Sequence, residues 1–192
     1  MRRSSLLRAA SALASSLAFC AILFGGAREA RAGLSLSAEL DGGMTFKGLP
    51  QQNRFGGGIT GVLGYRFHIG PAFIAPEAGG GYMLFDAGSS YVRFHPARAF
   101  GGVRFGVGRT VTPQIYAHLG YGWLGGLSDL DLRGYTADAG IALDFKLISI
   151  LALGLHGGYV VTRVEPGEGQ AVSDTPQTMS WINAGAHVTL EF

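Results

Sequence analysis

The sequence predicts an all-β fold, an eight-stranded antiparallel up-and-down transmembrane β-barrel, on three observations. From Leu34 onward apolar and polar residues alternate with a period of two, the spacing of strands with two unlike faces. The apolar face of every such stretch is free of charge, while the opposite face holds the charges and is otherwise mostly Gly, Ala, Ser and Thr. The connections between stretches alternate between short and long. Composition agrees: apolar residues make up 47% of the chain and Gly supplies 32 of 192 residues, without the several apolar runs of about 20 that a helical membrane protein needs. With charged residues at 15%, the apolar content is also too high for a disordered chain.

Residues 1–32 read as a signal peptide. Arg2, Arg3 and Arg8 give a positive start, "AASALASSLAFCAILFGG" an apolar stretch, and "AREARA" the small residues that set cleavage after Ala32. The competing reading is a retained anchor, because the apolar stretch approaches spanning length; "ARA" directly before the first patterned strand favours cleavage. Phe19 stands where a lipoprotein signal needs a small residue, so Cys20 is read as part of the discarded peptide. Arg2, Arg3, Arg8, Arg28 and Arg31 against Glu29 contribute +4 to a formal charge of +2, so residues 33–192 are near −2. No basic footprint for nucleic acid is left, and no cysteine for a disulfide.

Residues 33–192 form one barrel domain with strands expected near 34–47, 55–69, 72–85, 98–108, 115–124, 134–145, 150–162 and 179–192. The first is the cleanest, with Leu34, Leu36, Ala38, Leu40, Met44 and Phe46 on one face and Ser35, Ser37, Glu39, Asp41, Thr45 and Lys47 on the other. The second offers Phe55, Ile59, Leu63, Tyr65, Phe67 and Ile69; the third Ile74, Ala78, Tyr82 and Leu84; the fourth Val103, Phe105 and Val107. The fifth has Ile115, Leu119, Tyr121 and Trp123, and the sixth Tyr135, Ile141, Leu143 and Phe145. The seventh has Leu151, Leu153, Leu155, Tyr159 and Val161, and the last Ile182, Ala184, Ala186, Val188, Leu190 and Phe192.

Strand charges and His68, His118, His156 and His187 all take the other parity. A soluble barrel would turn a Lys- and Glu-rich face outward and fill its centre with bulky apolar groups. Here the small residues share the polar face, as a narrow interior requires, so the charge-free face is the outside and lies against lipid. "YRF", "VRF", "LDF" and "LEF" place a charge before Phe67, Phe105, Phe145 and Phe192, and "GY" recurs at Tyr82, Tyr121 and Tyr159, so the repeating unit is a hairpin. Phe46, Phe55, Phe67, Tyr82, Phe105, Tyr121, Trp123, Tyr135, Phe145 and Tyr159 are expected to form aromatic girdles at the two membrane interfaces. Short turns follow the second, fourth and sixth strands and longer loops the third, fifth and seventh, placing the turns on the periplasmic side. Pro76 conflicts with its strand, because a closed barrel has no free edge; a later strand start or a bulge is expected there.

With these features the chain resembles the eight-stranded outer-membrane β-barrel family, which includes the OmpA transmembrane domain, OmpX and NspA. The resemblance covers residues 33–192 and includes an ending similar to the family's C-terminal assembly signal, here Val188, Leu190 and Phe192. It implies the cell outer membrane as location, outer-membrane lipids as surroundings, engagement of the barrel assembly machinery during insertion, and a monomer.

Inside the barrel, Arg66, Arg104, Asp144 and Glu191 each precede a repeated Phe, so they are expected at one depth near the periplasmic end, pairing as an ion network with Glu39, Glu77 and Asp138. His187 and Thr189 are similar in spacing to the His-x-Ser pair of lipid A deacylase barrels, but Thr replaces Ser, Leu190 stands where Asn is expected, and the pair should face inward. Asp129 and Asp131 in "SDLDL" lack the further oxygen ligands and turn glycine of a calcium loop. No catalytic residue, metal or cofactor is expected. The expected function is a structural, envelope-integrity barrel with a side-chain-filled lumen; the alternatives are a narrow porin-like channel for ions or small solutes and a lipid hydrolase.

Overall fold

The structure, a computed structural model, describes residues 30–47, 54–86, 94–125, 132–166 and 177–192. The strands are β1 (Ala30–Lys47), β2 (Phe55–Ile69), β3 (Ala72–Phe85), β4 (His95–Val107), β5 (Val111–Gly125), β6 (Leu132–Ile148), β7 (Leu151–Pro166) and β8 (Gln177–Glu191). Each pairs antiparallel with its successor, and β8 returns to β1, so the barrel is closed. Residues 1–29 of the expected signal peptide, and Asp129 and Asp131, lie outside the described residues. Ala30, Arg31 and Ala32 pair with β2 alone, opposite Ile69, His68 and Phe67; pairing with β8 starts at Ser35.

Closure fixes the shape. Following the register from Ser35 through Gly64, Glu77, Gly102, His118, Asp138, Val160 and Trp181 returns to β1 at Thr45, ten residues from the start. That stagger over eight strands tilts them by about 40° and sets the backbone cylinder at a radius of about 8 Å. Such an interior is filled by side chains alone. The outward row of β2, from Phe55 to Phe67, then covers about 30 Å along the barrel axis, the thickness of a hydrocarbon core.

Two short connections rely on glycine: Gly70, before Pro71, has φ 62°, and Gly108 has φ 138°, both costly for a residue with a Cβ. β6 and β7 turn at Ser149 and Ile150, beside a register shift between Lys146 and Ile148.

β4 and β5 begin earlier than their expected starts at 98 and 115 and take in Pro96 and Pro113. Each proline lies where one neighbouring ladder has run out: continuous β3 to β4 pairing stops at Tyr82 opposite Ala97, and β4 to β5 pairing stops at Gly106 opposite Gln114. Pro76 is different. β3 starts at Ala72 and keeps a constant register, so neither a late start nor a bulge accounts for it. Instead the ladder to β2 lapses between Gly64–Glu77 and Phe67–Ile74, while Pro76 still pairs with Val103 of β4. The lapsed pairs are those that need an N–H from residue 76, so the proline costs one hydrogen bond and the strand passes through.

Burial follows the expected parity. Leu36, Leu40, Ile59, Leu63, Leu119, Ile141, Leu155 and the ten expected girdle aromatics are all exposed on the outer surface. The aromatics lie toward the two rims, with Tyr121 edge-on to both Trp123 and Tyr135, and Tyr65 edge-on to Phe67. The lumen departs from expectation at the loop end, where the inward positions are bulky and apolar. Met83, Phe85, Phe94, Leu124, Leu132, Val160, Val164, Met179 and Trp181 form one buried cluster, with Phe85 stacked on Phe94 and edge-on to Trp181. Inward parity marks the lumen side; it does not require polarity where the interior is dry.

Candidate functional site in the lumen

Below the apolar cluster the lumen is polar, and glycine organises it. Three carboxylate and histidine pairs are each separated by one strand that carries glycine at the register position between them, whereas His118 and Asp138 are direct partners on β5 and β6. Glu77 of β3 and His118 of β5 flank Gly102 of β4; Asp144 of β6 and His187 of β8 flank Gly154 of β7; His156 of β7 and Asp41 of β1 flank Gly185 of β8. Without a Cβ on the middle strand, the two side chains meet across it. A Cβ on Gly102 would stand 2.6 Å from His118 Cδ2, and one on Gly154 would stand 2.3 Å from His187 Nε2. The high glycine content of the inward face therefore makes room for large polar side chains.

The resulting contacts are close. His118 reaches Asp138 Oδ1 with Nδ1 at 2.7 Å and Glu77 Oε2 with Nε2 at 3.1 Å. His187 Nε2 is 2.6 Å from Asp144 Oδ1, and His156 Nε2 is 2.8 Å from Asp41 Oδ1. Asp41 also accepts from Thr60 Oγ1 at 2.9 Å and Asn183 Nδ2 at 3.0 Å. The two rings of His156 and His187 face each other with their Nδ1 atoms 3.2 Å apart. Ser37 and Thr189 hydroxyls share a hydrogen bond at 2.7 Å.

Of the four charges expected at one depth, Arg66, Asp144 and Glu191 do meet: Arg66 pairs with Glu191 and lies 3.4 Å from Asp144 Oδ2. Lys146 Nζ adds a second contact to Glu191 at 2.7 Å. Arg104 does not join them. Its Nε lies 2.7 Å from Glu77 Oε1 and its Nη2 3.6 Å from Glu39 Oε1, while Nη1 donates to Gln114 Oε1 at 3.1 Å. The repeat that places Arg104 before Phe105 sets its parity, but the stagger of the strands sets its depth, and the sequence does not display the stagger. Asp138 pairs with Arg98. Aromatic faces complete three of these cations, with Arg66 over Phe73, Arg98 over Phe100 and Arg104 over Tyr116.

All seven expected network residues are thus inside, joined by Asp41, Arg98, Gln114, Lys146 and the three histidines, which sequence reasoning left out. Their signal was available only as inward parity together with an inward glycine on the next strand. His187 and Thr189 both face the lumen, where Asp144 and Ser37 hold them. Val188 and Phe192 are exposed on the outer surface and Leu190 is half-buried, and the Phe192 backbone N–H donates to Leu34 O at 2.8 Å.

No protein-family model matches the chain, and no curated protein does. Solved structures do. Neisserial surface protein A (NspA) is 14% identical and superposes with a TM-score of 0.56 over 84% of this chain and 99% of its own. Outer membrane protein AlkL, solved in lipid bilayers, is 13% identical with a TM-score of 0.53, over 84% and 90% of the two chains. Outer membrane protein OprG from Pseudomonas aeruginosa is 7% identical with a TM-score of 0.51, over 85% and 97%. At such identities the likeness concerns architecture alone, and with the closed register and the apolar outer belt it establishes this chain as a transmembrane β-barrel of eight antiparallel strands, built on the plan of outer-membrane proteins.

Proposed function

We propose that the chain is an integral outer-membrane protein with a structural, envelope-integrity role, acting as a closed barrel and not as a pore. The observation that supports this most directly is a lumen blocked twice over. A dry apolar cluster that includes Phe85, Phe94 and Trp181 fills the loop end, and the ion-pair network fills the middle and the turn end. Passage of a hydrated ion would require both layers to part, and an Arg104 or Asp144 stripped of its partners in so buried a position costs several kcal/mol.

In the same reading the outer belt contacts membrane lipid, the barrel is a monomer, and the outward row Val188, Leu190 and Phe192 is what the assembly machinery engages. The protein reaches the outer membrane through its cleaved signal peptide. Planar-bilayer recording tests the role: purified barrel inserted at high dilution is expected to give no steady conductance. Steady single-channel steps that disappear in an Arg104→Ala variant would establish a conducting lumen and end the structural reading.

A further inference from the structure

We propose that His156, His187 and Glu39 form a binding site for one divalent first-row transition ion, of the zinc type, inside the barrel. The three residues come from consecutive strands, β7, β8 and β1, and each offers a ligand atom within 4.8 Å of the others. All three are buried.

The geometry of the two rings carries the inference. Each histidine turns Nε2 to a carboxylate oxygen, His156 to Asp41 at 2.8 Å and His187 to Asp144 at 2.6 Å. A carboxylate only accepts, so each Nε2 donates its hydrogen and each Nδ1 is left with a lone pair. Those two lone pairs face each other across 3.2 Å. Two acceptors at that separation repel unless a positive species sits between them, and the choice is a shared proton or a metal ion. Two nitrogens held at 2.0–2.1 Å from a tetrahedral zinc ion are about 3.3 Å apart, close to the 3.2 Å seen here.

The surroundings favour the metal. A ligating imidazole whose other nitrogen is fixed by a carboxylate, itself held by further hydrogen bonds, is the arrangement that orients metal-binding histidines. Here Asp41 is held by Thr60 and Asn183, and Asp144 by Arg66. Glu39 supplies the third, oxygen ligand. Its Oε1 is 3.6 Å from Arg104, which sits closer to Glu77, at 2.7 Å, and its Oε2 lies beside the His156 ring, 4.0 Å from Nε2, so this second oxygen is the one left to turn to a metal. Across the whole network six carboxylates face Arg66, Arg98, Arg104, Lys146 and His118, whose two ring nitrogens both donate to carboxylates, so negative charge is in excess around the two facing Nδ1 atoms. Two imidazoles and one carboxylate suit zinc, copper, nickel or iron better than magnesium or calcium. A cavity of about 660 Å³ opens at the turn-end rim beside Arg66, His68, Lys146 and Glu191, so an ion that reached the site from that end would pass the Arg66–Glu191 pair, while the apolar cluster shuts the loop end.

The test uses tag-free barrel refolded in detergent, with 15N-labelled histidine and zinc chloride as the probe. Bound zinc is expected to saturate at one ion per chain and to move the Nδ1 resonances of His156 and His187 while leaving those of His95 in place. Affinity should fall at least tenfold in Glu39→Gln and be lost in the His156→Ala, His187→Ala double variant, but be retained in His95→Ala, with the shift in gel mobility on boiling confirming closed barrels. Zinc uptake equal to that of the double variant would overturn the site. So would uptake that leaves both Nδ1 resonances unmoved, a result the wild-type protein gives even where a variant fails to fold.

Discussion

Gly154 shows what a single absent methyl group does in this lumen. It lies between Asp144 and His187, and a Cβ there would stand 2.3 Å from the His187 nitrogen and 2.7 Å from the Asp144 oxygen, so the hydrogen bond across the strand could not form. Breaking a buried bond to a charged acceptor costs about 1.5–3 kcal/mol. Gly154→Ala is therefore expected to lower the unfolding free energy by about 2 kcal/mol, measured by urea titration in lipid vesicles. Gly61 provides the contrast. It faces outward with nothing within 4 Å of a prospective Cβ, and Gly61→Ala should change stability by no more than about 0.5 kcal/mol. Equal costs at the two positions would mean that glycine is needed on both faces of the barrel wall and not for the side chains it admits. The histidine contacts were not legible in the sequence for the same reason. Gly102 and His118 are sixteen residues apart in the chain and become neighbours only when the register of β4 on β5 is set.

At the scale of the element, what the sequence displayed was parity and what it concealed was stagger. Inward and outward positions could be assigned for all eight strands because lipid on one side and a confined interior on the other impose opposite demands on alternate residues. Depth is another matter: Arg66 and Arg104 occupy equivalent places in repeated "RF" dipeptides, yet one pairs with Glu191 and the other with Glu77. The prolines act in a more local way. β4 and β5 run past Pro96 and Pro113, beyond their expected starts, and each proline sits where a neighbouring ladder has ended. Pro76 lies mid-strand and interrupts its ladder to β2, leaving the Tyr65 carbonyl without the donor that residue 76 would supply. Replacing it should close that gap. Pro76→Val, which keeps an apolar outward side chain, is expected to stabilise the barrel by about 1 kcal/mol. Amide hydrogen exchange is the discriminating measurement, because the new residue 76 amide should be protected to the same degree as its neighbours in β3. Rapid exchange at that amide would show that β2 and β3 are held apart there by something other than the missing donor.

For the molecule as a whole, the outward face sets the environment. A barrel in water would bear the free-energy cost of a continuous belt of exposed Leu, Ile, Phe and Tyr around its middle, a far larger apolar surface than soluble monomers present. Against acyl chains the same belt is favourable, and the polar groups it would otherwise need are turned inward to pair with one another. The belt was legible in the sequence because no charge interrupts it; the apolar plug at the loop end was not, since inward Phe85, Leu132 and Trp181 carry no mark that separates them from lipid-facing residues except their parity. Lipid exposure makes a depth-dependent prediction that water exposure does not. Leu119 is 73% exposed and lies midway along β5, opposite Gly101 and Ala137, whereas Leu147 is 55% exposed and lies at the turn end of β6. An arginine facing lipid costs about 2–4 kcal/mol at the bilayer midplane and about 0–1 kcal/mol near an interface. Leu119→Arg should therefore destabilise the barrel in vesicles by several times as much as Leu147→Arg, as read from paired denaturant titrations. If both substitutions cost less than about 0.5 kcal/mol, the level of an ordinary solvent-facing change, the outer belt faces water and the membrane assignment fails with it.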